Sequence, residues 1–175
     1  GKDIHHMFVR PGQIQSGMSD IGGYAETKTL LQNELVLPLS FPHIFFQNKN
    51  IVPPASILLF GPPGTGKTQM VRACAKEAGA EMIHVTAASI ENKWWGESPK
   101  ILESIFDEAF KRERPCVVFF DELDGMGRQR QEGDQACVYS LKCELLRHMD
   151  RVMQSKERNF VVVACTNHKE SIDPA

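Results

Sequence analysis

The sequence predicts an α/β fold in which a parallel sheet is covered by helices on both faces. Three observations lead there. Four short runs rich in apolar residues, Ile57 to Phe60, Glu81 to Val85, Val117 to Phe120 and Phe160 to Cys165, read as strands buried on two faces. Segments with helical spacing alternate with them. The first run leads into the glycine-rich stretch GPPGTGKT, Gly61 to Thr68, and the third into the acids Asp121 and Glu122. Polar chemistry is thus gathered at strand C-termini, where open parallel sheets bind ligands.

The segment up to Ser19 shows no periodicity and begins with Gly1 rather than Met, so residues 1–18 are expected to form a loose leader or linker ahead of a single domain over 19–175. A first helix is predicted over Tyr24 to Leu37 and stopped by Pro38, followed by a connection marked by Pro53 and Pro54. After the first strand and its glycine loop, Lys67 to Ala78 reads as a helix closed by Gly79. Ser98 caps the next helix, with Pro99 in its first turn and a buried stripe of Ile101, Leu102, Ile105, Phe106, Ala109 and Phe110. Gly125 to Gly133 is polar and bears arginines, as a loop does. The last helix runs over Gln135 to Met149, marked by Val138, Leu141, Leu145 and Met149.

A chain of 175 residues with 42% hydrophobic content can bury one substantial core. Its formal net charge of −2 gives no whole-chain attraction to nucleic acid or anionic lipid, so no nucleic-acid partner is expected. No apolar run approaches the roughly 20 residues that span a bilayer, and no secretory signal is evident; the expectation is a soluble, cytoplasmic protein without a transmembrane segment. The cysteines, Cys74, Cys116, Cys137, Cys143 and Cys165, are odd in number and form no CxxC, which disfavours disulfide or zinc frameworks. None of the histidines has ligand spacing, and all read as surface or incidental residues.

GPPGTGKT fits G-x-x-x-x-G-K-[ST], and each fixed position answers a charge on a nucleotide. Gly61, Gly64 and Gly66 let backbone N–H groups curl around phosphate oxygens, and Lys67 reaches the β and γ phosphates. The Thr68 hydroxyl can ligate Mg²⁺, and the helix beginning there turns its positive end towards the anion. Pro62, Pro63, Thr65 and Gln69 belong to the same run and are assigned to the nucleotide site with it. A glycine-rich turn could match by accident, but strand, glycine loop and helix occur here in the required order. Asp121 is placed to hold the Mg²⁺ shell. Glu122 is the candidate for polarising an attacking water, since in-line phosphoryl transfer needs a water-orienting group near the γ phosphate. ATP and Mg²⁺ are the implied cofactors, on a P-loop NTPase architecture.

Five motifs in order, DIGG (Asp20 to Gly23), GPPGTGKT, KWWGES (Lys93 to Ser98), FFDELD (Phe119 to Asp124) and ACTN (Ala164 to Asn167), resemble an AAA ATPase module over Ser19 to Ala175. LVLPLSFPHIF, Leu35 to Phe46, resembles the branch that holds katanin, spastin and the vacuolar-sorting ATPases that disassemble membrane-remodelling filaments. The resemblance implies that Asn167 is the sensor that helps orient the attacking water, and that the backbone at Ile21 and Gly22 lies against adenine. It also implies that Lys93, Trp94, Trp95 and Gly96 form a first pore loop gripping substrate polypeptide. An exposed aromatic beside glycine offers broad apolar contact with little sequence selectivity, which favours Trp94 as the contact; ordinary burial is the alternative, more so for Trp95.

The family continues beyond this point into paired arginines, a fifth strand and a helical lid. The chain is therefore expected to be part of something longer, with the arginine finger unassigned and with ATP bound better than it is hydrolysed. If the further strand borders the phosphate-loop strand, an apolar sheet edge is expected to be open here and to promote self-association. The resemblance implies a self-assembled ring, a hexamer when complete, that threads protein substrates through a pore. The vacuolar-sorting type is expected, working in the cytoplasm at endosomal or other membranes through adaptors, with filament-forming membrane-remodelling subunits as substrate. Severing of tubulin filaments, or a nucleotide-dependent scaffold with little hydrolysis, remain as alternatives.

Overall fold

A computed structural model describes residues 4–14, 25–48, 50–51, 55–61, 66–86, 89, 98–122, 135–155 and 158–166. Five strands form one sheet: β1 (Phe8–Val9), β2 (Ser56–Phe60), β3 (Glu81–Val85), β4 (Cys116–Phe120) and β5 (Phe160–Thr166), in the spatial order β1-β3-β4-β5-β2. The four longer strands are parallel, in the registers Val85 with Phe120, Phe120 with Ala164, and Phe60 with Thr166. All four therefore end on one side of the sheet. The predicted strands appear within one residue of their expected bounds.

Alternation along the strands divides the core in two. Met82, Val117, Phe119, Val161 and Val163 face the cluster built with α4 (Lys67–Glu77), whose Met70, Val71, Ala73, Cys74 and Ala75 are buried. Ile83, Val85, Val118, Phe120 and Val162 face the other cluster, which contains Ile101, Leu102, Ile105, Phe106 and Ala109 of α5 (Ser98–Lys111) and Val152 of α6 (Gln135–Gln154). The stripe expected on α5 is the core of that face, with Phe110 partly buried against it. Leu145 and Met149 of α6 pack against the same core, whereas the side chains of Val138 and Leu141 lie outside the described set. The α6 helix runs five residues past its expected end because Val152 adds another buried turn.

Four expectations need correction. Pro38 does not stop the first helix. A helix α1 (Ala25–Leu31) passes through a π turn (Gln32–Val36) into α2 (Leu37–Ser40), and Leu37 N–H bonds to the Gln32 carbonyl five residues back. A proline ring clashes with the carbonyl four residues earlier and lacks a donor, and a widened turn just before it accommodates both. The short α3 (Pro42–Phe45) follows.

Part of the presumed leader is also structured. β1 pairs antiparallel with β3, Ile4 and Met7 are buried in one core cluster, and Ile14 in the other, so residues 4–14 wrap the β3 edge from face to face. Arg112 fixes the wrap, its guanidinium lying 4.2 Å from the Phe8 ring and pairing with Glu81 at 3.3 Å. Aperiodic single anchors of this sort leave no pattern to read.

Finally, β2 is not buried on both faces: its residues alternate exposed and buried, with Leu58 38% and Phe60 44% exposed. It pairs with β5 on one edge, and no strand among the described residues pairs with the other.

The histidines divide unexpectedly as well. His148 is fully buried on α6, stacked on Phe106 at 4.7 Å with planes 7° apart. Buried Arg158 donates from Nη1 to the Phe160 carbonyl at 2.9 Å and lies over the Phe46 ring. Burial draws its guanidinium down to about 10, still charged at neutral pH.

Candidate functional site

The site is assembled where β2, β4 and β5 end. Gly61, the residue after β2, donates its N–H to the Thr166 carbonyl at 3.2 Å, stitching the start of the glycine loop to the end of β5. Gly66 then opens α4 with φ +84°, a left-handed conformation that glycine takes without penalty. Met70 N–H closes the first turn on the Gly66 carbonyl at 3.0 Å, and no side chain caps the helix. The first N–H groups of a helix point out of its N-terminal end, the arrangement that receives an anion. Lys67 reaches back across this end, its ammonium donating to the Gly61 carbonyl and, at 3.1 Å, to that of Thr166.

Asp121 follows β4 and is held in line by its N–H bond to the Val85 carbonyl, 2.9 Å. The Thr68 hydroxyl donates to its carboxylate, 3.2 Å from Oδ1 and 3.1 Å from Oδ2. His84 Nε2 approaches Oδ2 at 3.1 Å from the neighbouring strand. Burial alone would raise the Asp121 carboxyl, but the hydrogen bond and charge of His84, with the Thr68 hydroxyl, outweigh it and hold the group below the usual carboxylate range. Asp121 is thus an anion at neutral pH. A hydroxyl and a carboxylate side by side form the all-oxygen donor set that a hard cation such as Mg²⁺ takes through one or two protein ligands and water.

Glu122, next in the chain, is exposed, and its φ of +55° makes it the described non-glycine residue in the left-handed region. Such a conformation costs roughly 1–2 kcal/mol in an L-residue and recurs at functional sites. Glu122 is thus exposed where Phe120, two residues earlier, is buried in the core.

Of the residues singled out from the sequence, Gly61, Gly66, Lys67, Thr68, Asp121 and Glu122 come together at this sheet end, with Gln69 exposed on the first turn of α4. Ile21, Gly22, Pro62, Pro63, Gly64, Thr65, Lys93, Trp94, Trp95, Gly96 and Asn167 lie outside the described residues. Sequence reasoning missed His84, dismissed with the other histidines. The available signal was a histidine set between the apolar Ile83 and Val85 near the C-terminal end of the strand EMIHV, the end at which the sheet gathers its polar chemistry.

Residues 57–175 match a family described as ATPase family associated with various cellular activities (AAA). The chain belongs to the AAA family. The AAA chain is 32% identical over 173 residues to the outer mitochondrial transmembrane helix translocase of Danio rerio, covering 99% of itself and 45% of that relative. It is 41% identical over 157 residues to the cell division cycle protein 48 homolog of Archaeoglobus fulgidus, covering 89% of itself and 21% of the relative. The chain therefore spans less than half the length of these relatives. Among solved structures it resembles the FIGL-1 AAA domain in complex with ADP, with TM-score 0.79 and 29% identity over 97% of this chain and 54% of that one. A katanin structure concerned with self-assembly gives TM-score 0.75 and 27% identity over 97% and 52%. These likenesses match the katanin branch and the nucleotide-binding α/β fold expected from the motifs.

Proposed function

We propose that the AAA chain binds Mg-ATP at the α4 N-terminus and hydrolyses it, with 19–175 as the nucleotide-binding part of a ring that threads polypeptide through its pore. The observation behind this reading is the convergence of the Thr68 hydroxyl and the Asp121 carboxylate beside the uncapped first turn of α4. Lys67 would shift from the Gly61 and Thr166 carbonyls onto the β and γ phosphates, exchanging neutral acceptors for charged ones. Thr68 and Asp121 would hold Mg²⁺, which would supply positive charge against that developing on the phosphates. Glu122 polarises the attacking water, and Asn167, just past β5, orients it. Trp94 provides the substrate contact.

The vacuolar-sorting type remains our specific assignment, a cytoplasmic hexamer acting at endosomal membranes on filament-forming subunits. The likeness to FIGL-1 and katanin favours a second reading, severing of tubulin filaments. A relative named as a translocase of transmembrane helices is consistent with polypeptide as the substrate class.

The test is a trap. A protein carrying this chain within its complete sequence, with Glu122→Gln and a photocrosslinker at position 94, is assembled in Mg-ATP and its adducts identified. A helical filament subunit supports the vacuolar-sorting assignment, and tubulin moves the assignment to severing. An intact ATP-bound ring with no adduct overturns threading.

A further inference from the structure

We propose that His84 is a positioning residue for the cation site, donating its Nε2 proton to Asp121 so that the carboxylate presents a fixed face to Mg²⁺. The proposal rests on the Mg-ATP reading above and adds a residue to it. The sheet register explains why His84 can do this. His84 is the Cα partner of Phe119 across the β3–β4 pair, and Asp121, the residue after β4, stands two residues beyond Phe119 and continues its alternation. The imidazole stacks on the Phe119 ring, centroids 5.1 Å apart and planes 24° apart, and that stack sets the ring's direction. Nε2 then meets Asp121 Oδ2 at 3.1 Å.

The donor is fixed by chemistry, because an ionised carboxylate can only accept and the proton must therefore be on Nε2. Asp121 is then gripped by two elements, Thr68 of α4 and His84 of β3. One grip alone leaves the carboxylate free to pivot about its Cβ–Cγ bond, a broad torsion, whereas two define its plane. A carboxylate has about four lone-pair sites, so the His84 bond on Oδ2 leaves sites for a cation or its water. With side chains only 20% and 16% exposed, little water competes for the His84–Asp121 contact. A histidine serving only as core filler has no need of this aim: its strand neighbours Ile83 and Val85 are fully buried apolar residues of the opposite face, and Met82 fills its own face two residues earlier.

The test follows binding of a fluorescent ATP analogue to this chain across a Mg²⁺ series and in EDTA, with a thermal melt of each variant. His84→Ala should raise the Mg²⁺ midpoint about tenfold, the usual effect of losing a group that orients a metal ligand, and leave affinity in EDTA unchanged. His84→Gln, which carries an N–H donor at similar reach, should restore the midpoint; His84→Phe, which keeps the stack but has no donor, should not. If His84→Ala fails to fold, the Gln and Phe pair decides. Equal Mg²⁺ midpoints in wild type and His84→Phe, or a parallel loss of affinity in EDTA, overturn the positioning role alone. A wild-type chain that binds no nucleotide, indistinguishable from Lys67→Ala, overturns the Mg-ATP reading and this proposal with it.

Discussion

The Thr68 hydroxyl and the Asp121 carboxylate, 53 residues apart in sequence, meet at 3.1 Å and join the first turn of the phosphate-binding helix to the end of the central strand. Because the hydroxyl proton is given to Asp121, the oxygen's lone pairs stay directed at a cation. Thr68→Val keeps the shape and removes the bond. We expect it to lower nucleotide affinity in Mg²⁺ by about 1.5 kcal/mol or more, roughly tenfold, and to leave affinity in EDTA unaltered. Isothermal titration with and without Mg²⁺ reads the difference; equal losses under both conditions would show that the hydroxyl serves the fold rather than the cation.

Glu122 joins a strained backbone to an acid at the reactive end of the sheet, and the two properties separate by substitution. Glu122→Gln keeps nucleotide binding and should lower turnover in the assembled ring by about 10²- to 10⁴-fold, the range general base catalysis supplies. Glu122→Ala and Glu122→Gly both remove the acid, yet only glycine relieves the φ of +55°. The glycine variant should therefore be more stable than the alanine variant by about 1 kcal/mol in denaturant titrations. Equal stabilities would remove strain from the account.

β2 is the edge strand of the described sheet, and with its exposed face it should make the chain self-associate. Leu58 is an exposed apolar residue on an edge strand, and a charge at such a position blocks edge pairing. The wild-type chain is expected to gain mass with concentration in sedimentation, and Leu58→Lys to abolish that gain without loss of nucleotide binding. Self-association surviving in Leu58→Lys would place the contact elsewhere, with the exposed Leu37, Phe41 and Ile44 of the first helical segment as the next surface to test.

How far the sequence was legible depended on whether a residue's role was local. β4 and β5 were readable because burial on two faces writes continuous apolar runs, and α5 because its stripe repeats at helical spacing. The glycine loop and acids were readable because their chemistry requires fixed spacing. Pro38 was misread because a stop signal and a π turn look alike until the next turn is seen to pack through Leu39. β1 spans two residues whose pairing depends on the distant Ile83 and Met82. His84 took its meaning from register: only once Phe119 lies opposite does the ring reach Asp121.

His148 supplies an acid-sensitive element on the opposite side of the sheet. Its ring is fully buried against Phe106, and Nδ1 has no hydrogen-bond partner among the described residues. Burial, and then the positive charge of Arg147 with a smaller effect from Arg151, hold its pKa below the ordinary histidine value, while Glu144 and Glu103 pull the other way. The unfolded chain titrates near 6.5, so below that pH it binds a proton that the folded chain refuses. Stability linked to His148 is thus complete above about pH 6.5 and declines as pH falls through the window down to the depressed folded value. The Asp121 carboxylate, lowered instead from near 3.9, loses its contribution only in a more acidic range, so the two effects separate along the pH axis. His148→Phe keeps the stacked ring without a titrating nitrogen or an unpaired buried polar atom. It should match or exceed wild-type stability near neutral pH and lose less on acidification from about pH 7 to about pH 5, as read by urea titrations at each pH. Parallel curves for the two proteins across that range would mean that the folded chain accommodates the charged ring, with Glu144, 4.0 Å from Nε2, as its counter-ion.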